Sequence, residues 1–419
     1  LARTAARPHP APAALWDTAR RHHPDPSVYF EQLIIDGHPA HPLCRRRGDL
    51  ADADVRELAP EHHPQVPIVL APLDDAVVAG AWPWHAPDGR PLLPLHPLQA
   101  ASHLELLTPT DATLRCAPLM SLRTLAPYTQ PDIHLKTAVD LRLTSAIRHV
   151  SPAAIHNGPI LSRLVANLGI PRLEVLTERG AVAALLPDSD PSAPDLTTRA
   201  DPALAAIVRD SPARILADDH VALPLAALSE PDPVDGRPLV TRVVASAGIP
   251  PAQWWRECVT TLLPPLLRLL ADHGIAAEAH GQNTLLALHQ GRPAAAVYRD
   301  FGGVRVWPER LAASGVDCPP LHGDLACDGP ETLHSKLISM LYAVALSQLV
   351  HAMSLGFDEA PETWWRTVAD VSRTATADDG LRAALFAPTW PIKAYTVMRL
   401  SDRPIADQWT SVANPLARL

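Results

Sequence analysis

Two short apolar runs, Thr284 to His289 and Ala294 to Tyr298, flank a Gly291-Arg292-Pro293 turn, and this pattern restricts the region to a β-hairpin. Counting outward from the midpoint between Gly291 and Arg292 sets Asn283 opposite Asp300, with Cβ atoms about 5 Å apart. An amide oxygen facing a carboxylate at the open end of a hairpin suits a hard divalent cation, which takes oxygen ligands. Glu278 and His280 precede the first strand and crowd the same end. The pattern predicts a nucleotide–Mg²⁺ corner, with an ordinary polar hairpin end as the plainer alternative.

A chain of 419 residues is too long for one small core, so two or three domains are expected. The Ser/Pro/Asp-rich stretch from Ser229 to Pro238 suggests a boundary that divides 1–230 from 231–419. The formal net charge of −9 argues against a general nucleic-acid or membrane-surface binder, so any anion site must be a local basic pocket. Five scattered cysteines are read as reduced thiols of a cytoplasmic protein. No signal-peptide core opens the sequence, and no uninterrupted apolar run approaches the roughly 20 residues that span a bilayer. Arginine dominates the cations; the only lysines are Lys136, Lys336 and Lys393. A lysine kept in such a background suggests a need for a compact point charge instead of a planar fork. Lys336 has the weakest claim of the three, lying on a helical pattern with no other chemistry near it in sequence.

Taken in order, Pro24 to Ile35 predicts a helix. It is followed by Gly37-His38-Pro39-Ala40-His41-Pro42 and then Arg45-Arg46-Arg47. Each proline pushes the preceding histidine into extended backbone, so His38 and His41 occupy a stiff loop beside three guanidiniums. Such a loop suits a polycarboxylate or phosphate. Zinc held by His38, His41 and Cys44 is disfavoured, because the spacing fits no standard finger. Thr113 to Leu125 reads as β structure ending in Ser121-Leu-Arg123-Thr124. After a turn, Ile133, Leu135, Thr137, Val139, Leu141 and Leu143 alternate with period two. Pairing the two about the turn sets Arg123 near Lys136. Like charges opposed in this way repel unless an anion lies between them, which makes the strand pair a candidate triphosphate cradle. Thr144-Ser145 then reads as a helix cap, with Arg148 in the first turn, where an anion is favoured. Helices are expected at Gly158–Leu168, at Ala252–His273 with an interruption at Pro264-Pro265, and at Glu331–Leu355. The segment 187–202 reads as an exposed loop.

No G-x-x-x-x-G-K-[ST], G-x-G-x-x-G or G-x-S-x-G is present, which removes support for P-loop, Rossmann, protein-kinase and serine-hydrolase sites. Asp300-Phe-Gly echoes a kinase metal motif, but no H-R-D-x-x-x-x-N precedes it. The cysteines show no clustered spacing for an iron–sulfur centre. A nucleotide site built from strand faces is what remains.

In sequence order, Gly-His-Pro-x-His-Pro with trailing basic residues, Ser121-x-Arg-Thr, Lys136, Thr144-Ser145-x-x-Arg148, His280-Gly-Gln-Asn and Arg299-Asp300-Phe follow one another. With Lys393-Ala-x-x-x-Met-Arg-Leu near the end, the series resembles the NRPS-independent siderophore (NIS) synthetases, the aerobactin-synthetase-like IucA/IucC family. The resemblance runs from about Glu31 to the end, with Arg45 where the family usually has Lys. It implies an α+β multidomain fold shaped like a cupped hand, with fingers, palm and a shortened thumb, assembled as a homodimer. It further implies an ATP- and Mg²⁺-dependent ligase that adenylates a citrate-like polycarboxylic acid. The acyl group then passes to an amine, hydroxylamine or alcohol, with release of AMP and pyrophosphate. Under this reading Ser121, Arg123, Thr124 and Lys136 hold the ATP phosphates, while His280 and Arg148 contact ATP and the activated carboxylate. Glu278, Asn283 and Asp300 manage Mg²⁺, and His38, His41, Gln282 and Lys393 help bind the acid. The alternatives are a kinase-like phosphotransferase and a non-catalytic protein that binds a polycarboxylate or ferric chelate.

Overall fold

The period-two run from Ile133 does not continue as one strand. It ends at Thr137, and after Ala138 a second strand, Val139–Leu143, leaves the sheet and pairs with Ala146–Arg148. The break occurs where the Asp140 amide turns to the side-chain oxygen of Gln99, 3.0 Å away, instead of to a neighbouring strand. Arg148 therefore closes a β-ribbon and does not open a helix; the expected cap, Thr144-Ser145, lies outside the described residues. The helix starts later, at Pro152–Asn167, where the Ser151 hydroxyl accepts from the Ala154 amide and Pro152 needs no partner at the first position. Gly158 and Pro159 sit within it. The computed structural model describes residues 15–35, 44, 47, 50–103, 107–143, 146–186, 199–400 and 408–419. The His38/His41 loop and most of the loop expected at 187–202 lie outside these, and the strand Ala200–Asp210 begins inside the latter's expected end.

An eight-stranded antiparallel sheet runs in the order Ala76–Gly80, Glu178–Leu185, Ala200–Asp210, Ile133–Thr137, Thr124–Pro127, Thr113–Pro118, Val66–Pro72, Leu92–Leu95. A second sheet has four strands: His220–Pro224, Thr284–His289, Arg292–Tyr298 and, parallel to the last, Leu173–Val175. Helices and antiparallel and mixed sheets thus combine in an α+β fold, as expected. The second sheet draws strands from both sides of residue 230, and one buried cluster extends from Leu15 to Leu416, so that point separates neither sheets nor cores.

The predicted hairpin forms, but with a different register. Its turn is Gln290-Gly291, both left-handed (φ 50° and 80°), so Arg292 and Pro293 already belong to the second strand. An irregularity between Ala287 and Leu288 adds one residue to the second strand. As a result Asn283 stands across from Arg299, whose amide donates to the Asn283 carbonyl at 3.0 Å, and Asp300 lies one residue beyond.

The helix Pro251–His273 passes through Pro264 and Pro265 without interruption. Two prolines remove two helical donors, yet the helix continues through them, with Leu262, Leu263, Pro265, Leu266 and Leu267 buried around the site. Trp254 and Trp255 are fully buried in it and donate their indole N–H groups to the carbonyls of Gly291 and Trp364. The expected helix at Glu331–Leu355 forms as a continuous run, Pro330–Phe357, with a π-helical stretch at Ile338–Leu346. It is long and apolar enough to cross a membrane, but 72% of its most apolar window is buried inside the protein.

The helix Ser27–Leu33 is fastened to the hairpin end by a fully buried ion pair, Glu31 to Arg299 at 2.5 Å, and the second Glu31 oxygen accepts from the Met120 amide at 3.2 Å. Removing one partner of a buried pair leaves the other charge stranded. Glu31→Ala should therefore cost about 3–5 kcal/mol, read as a lower urea midpoint. Glu31→Gln, which keeps an acceptor for the Met120 amide, should cost less.

Candidate active site

Strand alternation delivers the cationic side chains to one place. Thr124 pairs with Lys136, and Ile207 pairs with Lys136 from the other side, so the Lys136 side chain projects from the middle of the large sheet. It meets Asp300 there: Nζ lies 2.7 and 2.9 Å from the two carboxylate oxygens. Asp300 can reach it because its own backbone is left-handed (φ 73°), a strained choice for a residue other than glycine. The expected opposition of Arg123 and Lys136 is off by one residue. Arg123 instead faces Thr137, whose amide and hydroxyl donate to the Arg123 carbonyl at 3.0 and 2.9 Å. The Arg123 guanidinium donates to the carbonyls of Arg148 and His149 at 2.9 and 2.8 Å and so grips the β-ribbon. Burial, with Arg148 beside it, lowers its pKa to about 10, which leaves it charged. Ser121 and Thr124 close the turn before it through a 2.9 Å hydroxyl contact, around a left-handed and buried Leu122.

An open cleft of about 980 Å³, solvent included, lies between the two sheets. Ser121, Arg123, Thr124, Lys136 and Arg148 form one wall, and Glu278, His280, Gln282, Asn283 and Asp300 the other. Six cationic and two anionic side chains line it, so a locally positive cleft sits in a protein of net charge −9. The second wall is a tight turn in which the Asn283 and Thr284 amides donate to the His280 carbonyl. The Gln282 amide donates to His280 Nδ1 at 3.2 Å, which places the ring proton of the neutral imidazole on Nε2. Burial lowers the His280 pKa, despite the nearby carboxylates of Glu278 and Asp300.

Lys336, which the sequence left without chemistry, reaches this wall. Its Nζ lies 2.6 Å from Glu278 Oε1, and Lys393 Nζ approaches the same oxygen at 3.8 Å. All three lysines of the chain therefore converge on the two cleft carboxylates. Burial would raise the Glu278 pKa, but Lys336, His280 and Lys393 outweigh it and hold the group at about 2. The cleft also takes in Arg47, one of the three arginines after the His38/His41 loop, Arg299, which precedes Asp300 in its motif, and Arg209, which carried no sequence signal. Arg47 pairs with Glu61 through two 2.9 Å bonds. Lys393 touches Glu278 without lining the cleft, and His38 and His41 lie outside the described residues.

Two further groups set the spacing of the carboxylates. The Tyr298 hydroxyl accepts from the Glu278 amide at 3.0 Å and donates to the Asp300 carbonyl at 3.1 Å. Gly303 leaves room for the Glu278 carboxylate: a Cβ there would lie 2.0 Å from Glu278 Oε2 and push it aside.

A sequence profile of the IucA / IucC family matches residues 26–230, and one described as a ferric iron reductase FhuF-like transporter matches residues 252–407. Staphyloferrin A synthase from Staphylococcus aureus is 25% identical over 90% of this chain and 71% of its own length. Residues 26–230 of the chain match the IucA/IucC family. Another relative from the same organism, L-2,3-diaminopropanoate–citrate ligase, is 25% identical over 94% of this chain and 75% of its own. The fold matches ATP-bound aerobactin synthetase IucA from Klebsiella pneumoniae with a TM-score of 0.79, at 20% identity, over 96% of this chain and 79% of that one. The two profiles meet on opposite walls of the cleft, since Lys136 and Arg148 fall in the first and Glu278 and Asp300 in the second.

Behind Asp300, Glu178 is completely buried. One of its oxygens accepts from the Phe301 amide at 3.2 Å, and the other has no partner among the described residues. A Cβ on Gly158 would stand 1.8 Å from that second oxygen. Burial and the charge of Asp300 push the Glu178 pKa well above the ordinary glutamate range. A carboxyl with a raised folded-state pKa favours folding most at low pH, and that contribution fades as pH rises past the unfolded pKa. Glu178→Gln should thus match the wild type near about pH 4 and gain stability over it progressively toward about pH 8. Urea midpoints across that range test this; a difference independent of pH would contradict it.

Proposed function

We propose that this protein is an ATP-dependent carboxylate ligase that activates a citrate-like polycarboxylic acid as its adenylate and transfers the acyl group to an amine, hydroxylamine or alcohol in siderophore-type biosynthesis. The observation that carries the reading is the cleft itself, in which Lys136 on the large sheet, Arg123 in the turn beside it and Arg148 on the β-ribbon face Asp300, Asn283 and His280 on the other wall. The match to the IucA/IucC family and relatives named as synthases and citrate ligases support it.

In this reading Ser121, Arg123, Thr124 and Lys136 receive the ATP phosphates. His280 Nε2–H and Arg148 receive the α-phosphate and the attacking carboxylate. His38, His41, Gln282 and Lys393 orient the acid. The carboxylate oxygen attacks the α-phosphorus and pyrophosphate leaves; the nucleophile then attacks the acyl carbon and AMP leaves. The cations are fixed before the charge develops, which is where preorganised electrostatics contributes most to rate. Asp300 and Asn283 offer the hard oxygen donors that Mg²⁺ takes. Glu278 supplies a third, although Lys336 and Lys393 already compete for it. One or two carboxylates plus substrate phosphates is the usual Mg²⁺ arrangement, so the donor set fits. When bound, the ion would neutralise phosphate charge. A cytoplasmic homodimer completes the reading.

Lys136→Ala should reduce carboxylate-dependent ATP–pyrophosphate exchange by about 10²- to 10³-fold, and Arg123→Ala should reduce it too. Unchanged exchange in both would remove the phosphate assignment. Product analysis with a panel of di- and tricarboxylates checks the reaction class. AMP with pyrophosphate is expected; ADP would point to a phosphotransferase, and ligand binding with no turnover to a binding protein.

A further inference from the structure

The six cations that line the cleft are not equivalent. Arg47 is paired with Glu61, Arg299 with Glu31 and Lys136 with Asp300, while Arg123 is bonded to two carbonyls, and Arg148 also has contacts of its own. Arg209 is the exception. It is 4% exposed, and among the described residues its guanidinium has neither a hydrogen bond nor an ion pair, with Nε sealed from solvent and unpartnered. Burying a charged fork without a partner is costly, and a protein that keeps one in a cleft gains from it when a ligand supplies the missing acceptors.

The position of Arg209 narrows the choice of ligand group. It sits on the strand Ala200–Asp210, with His134 opposite it on one side and Glu178 on the other, two residue pairs along from Lys136. Its electrostatic neighbours are Arg299, Asp300, Glu31 and Glu178. Asp300 in turn is surrounded by Lys136, Arg209 and Arg123. The neighbours of His280 are different: Glu278, Asp300, Lys336 and Lys393. The cleft thus has two ends that share Asp300, and Arg209 belongs to the end away from the Lys336–Glu278–Lys393 cluster.

We infer that Arg209 is a further binding residue of the cleft, one that holds the terminal phosphates of the nucleotide, the part that leaves as pyrophosphate. This rests on the nucleotide reading above and adds to it a residue that carried no motif. A planar fork matches two phosphate oxygens at once, which a lysine ammonium does not.

The test is isothermal titration of the whole chain with ATP, pyrophosphate and AMP separately, for the wild type, Arg209→Met and Arg209→Lys. Both variants should bind ATP and pyrophosphate about 10- to 100-fold more weakly, the loss of one or two charge-assisted hydrogen bonds. AMP affinity should stay within about twofold, and the thermal midpoint of the ligand-free variants should not fall, because no protein contact is lost. Equal ATP affinity in the wild type and both variants would overturn the assignment, as would a parallel loss of AMP binding. A lower ligand-free midpoint would make Arg209 structural instead. Wild-type protein that binds neither ATP nor pyrophosphate would overturn the nucleotide reading itself.

Discussion

The Lys136–Asp300 ion pair joins the two sheets across the cleft. Lys136 is anchored in the middle of an eight-stranded sheet, and Asp300 ends a hairpin of the other. Because the pair spans the walls, it sets their separation, and it leaves an ammonium and a carboxylate side by side where a polyphosphate and its counter-ion would both find partners. Glu31–Arg299 repeats the arrangement one layer deeper, tying an N-terminal helix to the same hairpin end. A cleft braced by one ion pair between its sheets and a second from a helix to the hairpin end can remain open without collapsing onto its own cations.

Most of the site was legible in the sequence, and the errors have a common cause. Residue types and their order identified both walls, because period-two alternation and a hairpin turn are local properties. Register is not local. The turn falls at Gln290-Gly291 instead of between Gly291 and Arg292, and the added residue at Ala287/Leu288 restores only part of that shift, so Asp300 ends one residue past the position opposite Asn283; a one-residue offset likewise put Thr124 opposite Lys136 in place of Arg123. Each slip would normally turn a side chain to the wrong face. Asp300 returns to the cleft only through its left-handed backbone, and Arg123 only through the tight turn at Leu122. Pro264 and Pro265 misled in another way: tertiary burial around Trp254 and Trp255 overrode a reliable local signal.

The residues without a sequence signal are those whose role depends on long-range contacts. Arg209 is a single arginine near a strand end in an arginine-rich chain, and nothing near it in sequence sets it apart; Arg299 stood out only as the neighbour of Asp300, with no sign that it would pair with Glu31. Lys336 did carry a signal, the scarcity of lysine, but it was outweighed by its place on an apolar helical stripe. In the folded chain that helix turns π-helical one residue after Leu337, and its first part carries Lys336 to Glu278. Wider helical turns of this kind commonly accompany functional positions.

The Tyr298 phenol bonds the backbone of Glu278 on one side and of Asp300 on the other. Both bonds meet at one phenolic oxygen, so the main chain at Glu278 and the main chain at Asp300 are pinned to a single atom at the tip of a fully buried ring. Neither segment can drift from the other without breaking one of the two bonds. The offset between the two cleft carboxylates is therefore built into the scaffold beneath them and not left to the cations that pair with them.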